Sequence, residues 1–203
     1  MAAAAGQAPE AAAAATETKG LADEALRHFI KASRNKVDSA AFWCRYGQLL
    51  NQLDQYAEAE ACLLRAVSED TNMAAAHFHL ALTEKELGKY PEAIQHYEQV
   101  LVLTPDDPAT LNSLAFLYAS ATNAEVRSSK MAVQLATRAC DATTDQNARY
   151  MDTLARGYAA DGDFFQAIAW EEKALHRARQ LNDEELAREL EARDALFLDH
   201  KTQ

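Results

Sequence analysis

Proline and glycine are scarce in this sequence, four and six among 203 residues, which removes the punctuation that many short strands and tight hairpins would need. Cysteine is scarcer still. Cys44, Cys62 and Cys140 form no CxxC pair, and three is an odd count, which argues against a disulfide framework, and a reducing, cytoplasmic setting is expected. No apolar run reaches the roughly 18 residues that cross a bilayer, and the opening MAAAAGQAPEAAAAA lacks both the charged and the strongly apolar region of a secretory signal. Positive charge is in the minority. With 20 Lys and Arg against 31 Asp and Glu, the formal charge is -11, and neither nucleic acid nor an anionic membrane surface is an expected partner. Signatures of catalysis are missing too: there is no HExxH, no GxSxG, no phosphate-cradling glycine loop and no dinucleotide fingerprint. His77 and His79 lie two residues apart and point to nearly opposite sides of a helix, so they do not make a metal site. No enzyme activity, cofactor or metal is expected.

What is present favours helices. Alanine, leucine, glutamate, glutamine and arginine dominate, and these lose least on entering a helix. In LGKYPEAIQHYEQVLVLTPDD, Gly88 can take the positive φ of a turn between helices, and Pro91 fits a first helical turn, where its missing N–H costs nothing. Ala93, Tyr97, Val100 and Leu101 recur at helical period, and Pro105 bars the residue before it from continuing. A helix from about Tyr90 to about Leu103 is predicted, in an all-α chain with enough apolar side chains for one ordered domain.

That stretch recurs. Ala40 to Met73 and Ala74 to Asp107 are each 34 residues long and abut without a gap, pairing Gly47 with Ala81, Tyr56 with Tyr90, Ala59 with Ala93 and Ala66 with Val100. A third unit from Pro108 supplies Leu114, Ala115 and Tyr118, then about five extra residues within ATNAEVRSSK, then Ala132 and Ala139. A fourth from Ala148 supplies Leu154, Ala155, Tyr158, Gly162, Phe164, Ala167 and Ala174. These units resemble tetratricopeptide repeats, with Trp43 in the tryptophan place. Two departures stand out. The closing proline occurs only as Pro105, with Thr71 and Thr144 in its place elsewhere, and Glu171, beside Trp170, holds a position that usually carries an aromatic.

The resemblance implies a right-handed α-solenoid of helix-turn-helix repeats closed by a capping helix. The expected organisation is a flexible Ala-rich segment over 1–18 and a partial leading repeat helix over 19–39, with Ala25, Phe29 and Ala32 in frame. Repeats follow at 40–73, 74–107, 108–147 with the insertion, and 148–181, and a cap and tail occupy 182–203 with Leu186, Leu190 and Phe197 on one side. The run MAVQLATRACDATTDQNARYMDTLARGYAADGDFFQAIAWEEKAL is also similar to closing repeats of large bacterial tetratricopeptide proteins.

The first helix of each repeat in such arrays turns one face to a concave groove. That face assigns Cys44, Gln48 and Asn51, then Phe78, Leu82 and Lys85, then Asn112 and Phe116, then Arg149, Asp152 and Arg156 as candidate partner-binding residues. Phe78, Leu82 and Phe116 offer apolar area, Gln48, Asn51 and Asn112 can bond an extended backbone, and Arg149 with Arg156 can meet a carboxylate. The competing reading packs Phe78, Leu82 and Phe116 against the chain's own Ala-rich N-terminal segment or against the neighbouring helices. The Lys and Asn of the co-chaperone clamp are replaced here by Cys44 and Gln48, and the asparagine ladder of the O-linked N-acetylglucosamine transferase type by Arg45, His79, Ser113 and Thr153. The expected function is a non-catalytic scaffold binding a peptide or helix of another protein. The alternatives are self-association through the open N-terminal end, the Phe197 and Leu198 tip or the groove, and the recruiting region of a larger enzyme or membrane protein.

Overall fold

The computed structural model describes residues 39–121 and 123–201, with Arg27 and Lys31. The lead-in and almost all of the leading helix, including Ala25, Phe29 and Ala32, lie outside the described residues. Among the described residues there are nine α-helices and no strand. The single domain expected from chain length divides instead into two compact units, Met1–Leu87 and Gly88–Gln203. The division falls at a turn where Gly88 adopts φ 76°, a left-handed value that glycine reaches without strain.

The first unit holds α1 (Ala40–Gln52), α2 (Tyr56–Glu69) and α3 (Ala74–Glu86). Ser39 starts α1 by accepting a hydrogen bond from the Phe42 amide at 3.2 Å. Each helix packs on the next, and α1 also reaches α3. Leu50, Ala59, Leu63, Ala66, Ala76 and Leu80 form the core, and Cys44 belongs to it. Small size matters at Gly47, where an added Cβ would lie 2.5 Å from Leu63 Cγ. Trp43 packs against this core with the Arg65 guanidinium 4.1 Å over its ring.

The second unit holds α4 (Tyr90–Leu103), α5 (Pro108–Ser120), α6 (Ser129–Ala142), α7 (Ala148–Asp161), α8 (Phe164–Gln180) and α9 (Glu184–Lys201). Helix α4 takes the bounds its glycine and prolines predict. Asp107, Ser128, Asn147 and Asp163 cap α5 to α8 through their side chains, and Asp183 does the same for α9 by accepting from the Leu186 amide. Helices α5 to α9 each pack on the one before, and α5 reaches α7. Gly157 lets α7 approach α6, with Val133 Cγ2 and the Val133 amide nitrogen both 3.2 Å from a built Cβ.

The insertion between α5 and α6 is anchored rather than loose. The Ser128 amide donates to the Tyr118 carbonyl at 3.0 Å, Val126 is buried, and the Asn123 side chain accepts from the Glu125 amide. Helix α9 buries Leu186, Leu190 and Phe197. Phe197 joins Ala155, Ala167 and Ile168 in a core cluster, so it is not the protruding tip expected from sequence; packing of α9 on the preceding helices buries it.

Candidate functional site

In the first unit, α1 and α3 place Gln48, Asn51 and Leu82 around one cleft of about 310 Å³. Gln52, Tyr56, His79 and Glu86 complete its wall, and none of these four was among the expected groove residues. Asn51 already holds the two helices together: its Nδ2 donates to the His79 carbonyl at 3.3 Å, and its Oδ1 lies 2.9 Å from Thr83 Oγ1. Gln48 is exposed and turned to the cleft, and burial lowers the His79 pKa, favouring a neutral ring there. His77, by contrast, is buried with Nε2 3.0 Å from the Thr71 carbonyl, a structural contact.

Phe78 is half-buried with its ring edge-on to His79, and Lys85 is half-buried and paired with Glu86 at 2.8 Å. Cys44 departs from the expected groove position. It is only 4% exposed within the core, where a thiol behaves as a small hydrophobe, and burial pushes its pKa up. Burial raises the other two thiols likewise, Cys140 to about 12, which leaves them protonated and weakly nucleophilic.

In the second unit, Phe116, Asp152 and Arg156 come together. The Arg156 guanidinium sits 5.3 Å over the Phe116 ring, and its Nε donates to both Asp152 carboxylate oxygens at 3.1 Å. Asp152 is buried and also bound by Arg193 from α9, so it is committed to the cap rather than offered to a ligand as expected. Arg193 in turn lies 3.4 Å from Glu171, which is fully buried. Desolvation and the neighbouring Asp152 carboxylate push Glu171 up to about 8, against the pull of Arg193 and Arg156. The glutamate that broke the repeat pattern therefore faces the cation of the capping helix. That cation was the missing signal: a buried acid in an aromatic position demands a basic partner, and Arg193 was not read as one.

A second cleft, of about 570 Å³, opens beside this network, with Arg127, Arg156, Arg193 and Phe197 in its wall. Arg149 is exposed and does not line it. Asn112 is half-buried, and its Oδ1 is buried with no hydrogen-bond partner. Among the described residues, no three His, Cys, Asp or Glu side chains gather to hold a metal, and no helix is long and apolar enough to cross a membrane.

Family models for tetratricopeptide repeats match residues 40–72, 83–121 and 147–185. The chain belongs to the tetratricopeptide repeat family. Among solved structures similar to this tetratricopeptide protein is MamA 41-end from Desulfovibrio magneticus RS-1, 17% identical, with a TM-score of 0.68 over 88% of this chain and 98% of that one. A tetratricopeptide repeat protein from Parabacteroides merdae shares 16% identity over 91% of this chain and 70% of its own, with a TM-score of 0.70. YrrB, described as a tetratricopeptide protein with an unusual peptide-binding site, shares 16% identity over 86% of this chain and 98% of its own, with a TM-score of 0.63. These likenesses establish a helical solenoid of repeats as the fold. No curated protein matches the sequence. With the family comes the general role of a protein-interaction scaffold.

Proposed function

We propose that this tetratricopeptide protein is a non-catalytic adaptor that holds a peptide or helix of a partner on the first-helix faces of its repeats. The observation that carries this reading is the cleft of the first unit, where Gln48, Asn51 and Leu82 converge beside His79 and Tyr56. It combines an apolar floor at Leu82 with amide and ring groups able to bond a peptide backbone, the mix that peptide sites use. Gln48 and Leu82 are available for this because the α1 to α3 contact is secured elsewhere, by Leu50 and Leu80 in the core and by Asn51 across the helices.

A photo-crosslinking residue placed at Gln48, in the full chain and in native lysate, tests it, with the same residue at exposed Ser68 as a control. A partner joined from Gln48 but not from Ser68, and lost when Leu82→Arg fills the cleft of a still helical protein, is the expected result. Equal capture from both positions, or capture that survives Leu82→Arg, would remove the reading.

Self-association is a second reading, favoured by the outward-facing Leu196 and Leu198 near the end of α9, 61% and 45% exposed. Light scattering decides it: a molar mass that rises with concentration for the wild type and not for Leu196→Ser with Leu198→Ser is expected, and a strict monomer would end it.

A further inference from the structure

The cleft of the second unit is unlike the rest of this acidic chain. Its wall carries three guanidinium groups, from Arg127, Arg156 and Arg193, and no carboxylate, in a protein whose formal charge is -11. Three different elements deliver them: the insertion between α5 and α6, helix α7 and helix α9. The remaining wall is small or apolar, including Ala159, Leu196 and Phe197, with Leu196 61% exposed.

The three cations are not equivalent. Arg193 is mostly buried and held by Asp152 and Glu171, so it is spent on the fold. Arg156 keeps its Nε on Asp152, which leaves the rest of its fork of donors unassigned by that contact. Arg127 is exposed, pairs with no carboxylate among the described residues, and stands on a segment fixed on either side by buried Val126 and the Ser128 to Tyr118 hydrogen bond. Three carboxyl groups, of Asp152, Glu171 and Asp194, back the three guanidiniums, and burial pushes Glu171 up to about 8, towards its uncharged form at neutral pH. The positive excess at the cleft is therefore larger than a count of side chains suggests.

We propose that this cleft binds an acidic peptide segment of a partner protein, its carboxylate held by Arg127 and Arg156 and a neighbouring apolar side chain laid against Ala159, Leu196 and Phe197. The proposal rests on the scaffold reading above and names the ligand chemistry for the second unit. A planar guanidinium pair matches a carboxylate in charge and in geometry, and the apolar wall beside it discriminates a peptide from a free anion. The insertion, which departs from the 34-residue repeat, is the device that brings in Arg127.

Fluorescence anisotropy of the full chain with a short labelled peptide of alternating glutamate and leucine tests this, alongside the glutamine-for-glutamate and glycine-for-leucine counterparts. Binding by the wild type, weakened at least about tenfold by either peptide change and by Arg127→Glu, and falling with added salt, is expected. Arg127 is exposed and its loop is held by other residues, so the variant should keep the wild-type circular dichroism.

No binding of the acidic peptide, equal binding of the glutamine peptide, or an unchanged affinity in folded Arg127→Glu would overturn the assignment. Indifference to the leucine change together with equal displacement by inorganic phosphate would make it a free-anion site and overturn the peptide. A wild-type dimer that Arg127→Glu dissolves would put a second copy in the cleft instead. Partner crosslinking from Gln48 that persists in the Arg127→Glu background would leave the scaffold reading standing while this one fails; loss of crosslinking in the wild type itself would remove the reading beneath both.

Discussion

Single side chains carry most of the specificity here, and Glu171 shows how. Its carboxyl is fully buried among Asp152, Asp194, Arg156 and Arg193, and its folded pKa of about 8 stands well above the ordinary value of 4.5. Between those two values the folded chain keeps a proton that the unfolded chain has lost, so stability falls as pH rises from about 4.5 to about 8 and levels off beyond. Glu171→Gln, a neutral isostere, should match the wild type in unfolding free energy at low pH and exceed it at alkaline pH by an amount on the order of a few kcal/mol, read as a higher thermal midpoint there. Parallel midpoints at every pH would show that the acid is not held protonated. At Gly47 the argument is steric: Gly47→Ala drives a Cβ into fully buried Leu63 and should lower stability by about 1–3 kcal/mol, read by denaturant unfolding.

Helices and their joints form the next scale. Asp54, Gly88 and Gly162 each sit at positive φ in the turn within a repeat, and the joint before α7 places Thr144 at φ 49° where a residue of any bulk is strained. Thr144→Gly should therefore stabilise the chain by about 1 kcal/mol, visible as a raised thermal midpoint, despite the greater freedom glycine has when unfolded. The capping helix is tied down by one arginine as well as by its leucines. Arg193→Ala leaves Asp152 with Arg156 alone and removes the partner of the buried Glu171 carboxyl, and should destabilise by about 1–3 kcal/mol in the same assay. Helix bounds were legible because turn chemistry is local: Gly88, Pro91 and Pro105 frame α4, and Asp107 with Pro108 opens α5. The role of Arg193 was not, because its partners lie 22 and 41 residues away in sequence.

Over the whole molecule, stability should be distributed rather than pooled. Each compact unit has its own core, centred on Leu63 in the first and including Leu154 in the second, both essentially inaccessible to solvent. Leu63→Ala and Leu154→Ala should each cost about 2–5 kcal/mol, with the loss of amide hydrogen-exchange protection concentrated in the unit that carries the substitution. Uniform loss along the chain in both variants would show one cooperative body instead. The solenoid family was readable from the 34-residue recurrence of small and aromatic residues; the break at Leu87 was not, since Gly88 occupies an ordinary turn place in the repeat.

Of the candidate site, the sequence supplied the face and the structure chose among its members. Helical spacing together with the repeat resemblance put Gln48, Asn51 and Leu82 on the groove side of their helices, and the three line one cleft. Cys44 has the same periodic credentials and is in the core, and Asp152 is locked to the cap, because a helical wheel gives direction and not what stands opposite. The sequence by itself determined the helices, their caps and the repeat family, since propensity, turn residues and spacing act over a few neighbours. Only the tertiary structure decided which charges face each other: Arg127, Arg156 and Arg193 meet because three separate elements fold against one another, and contacts set by packing leave no mark at any fixed spacing along the chain.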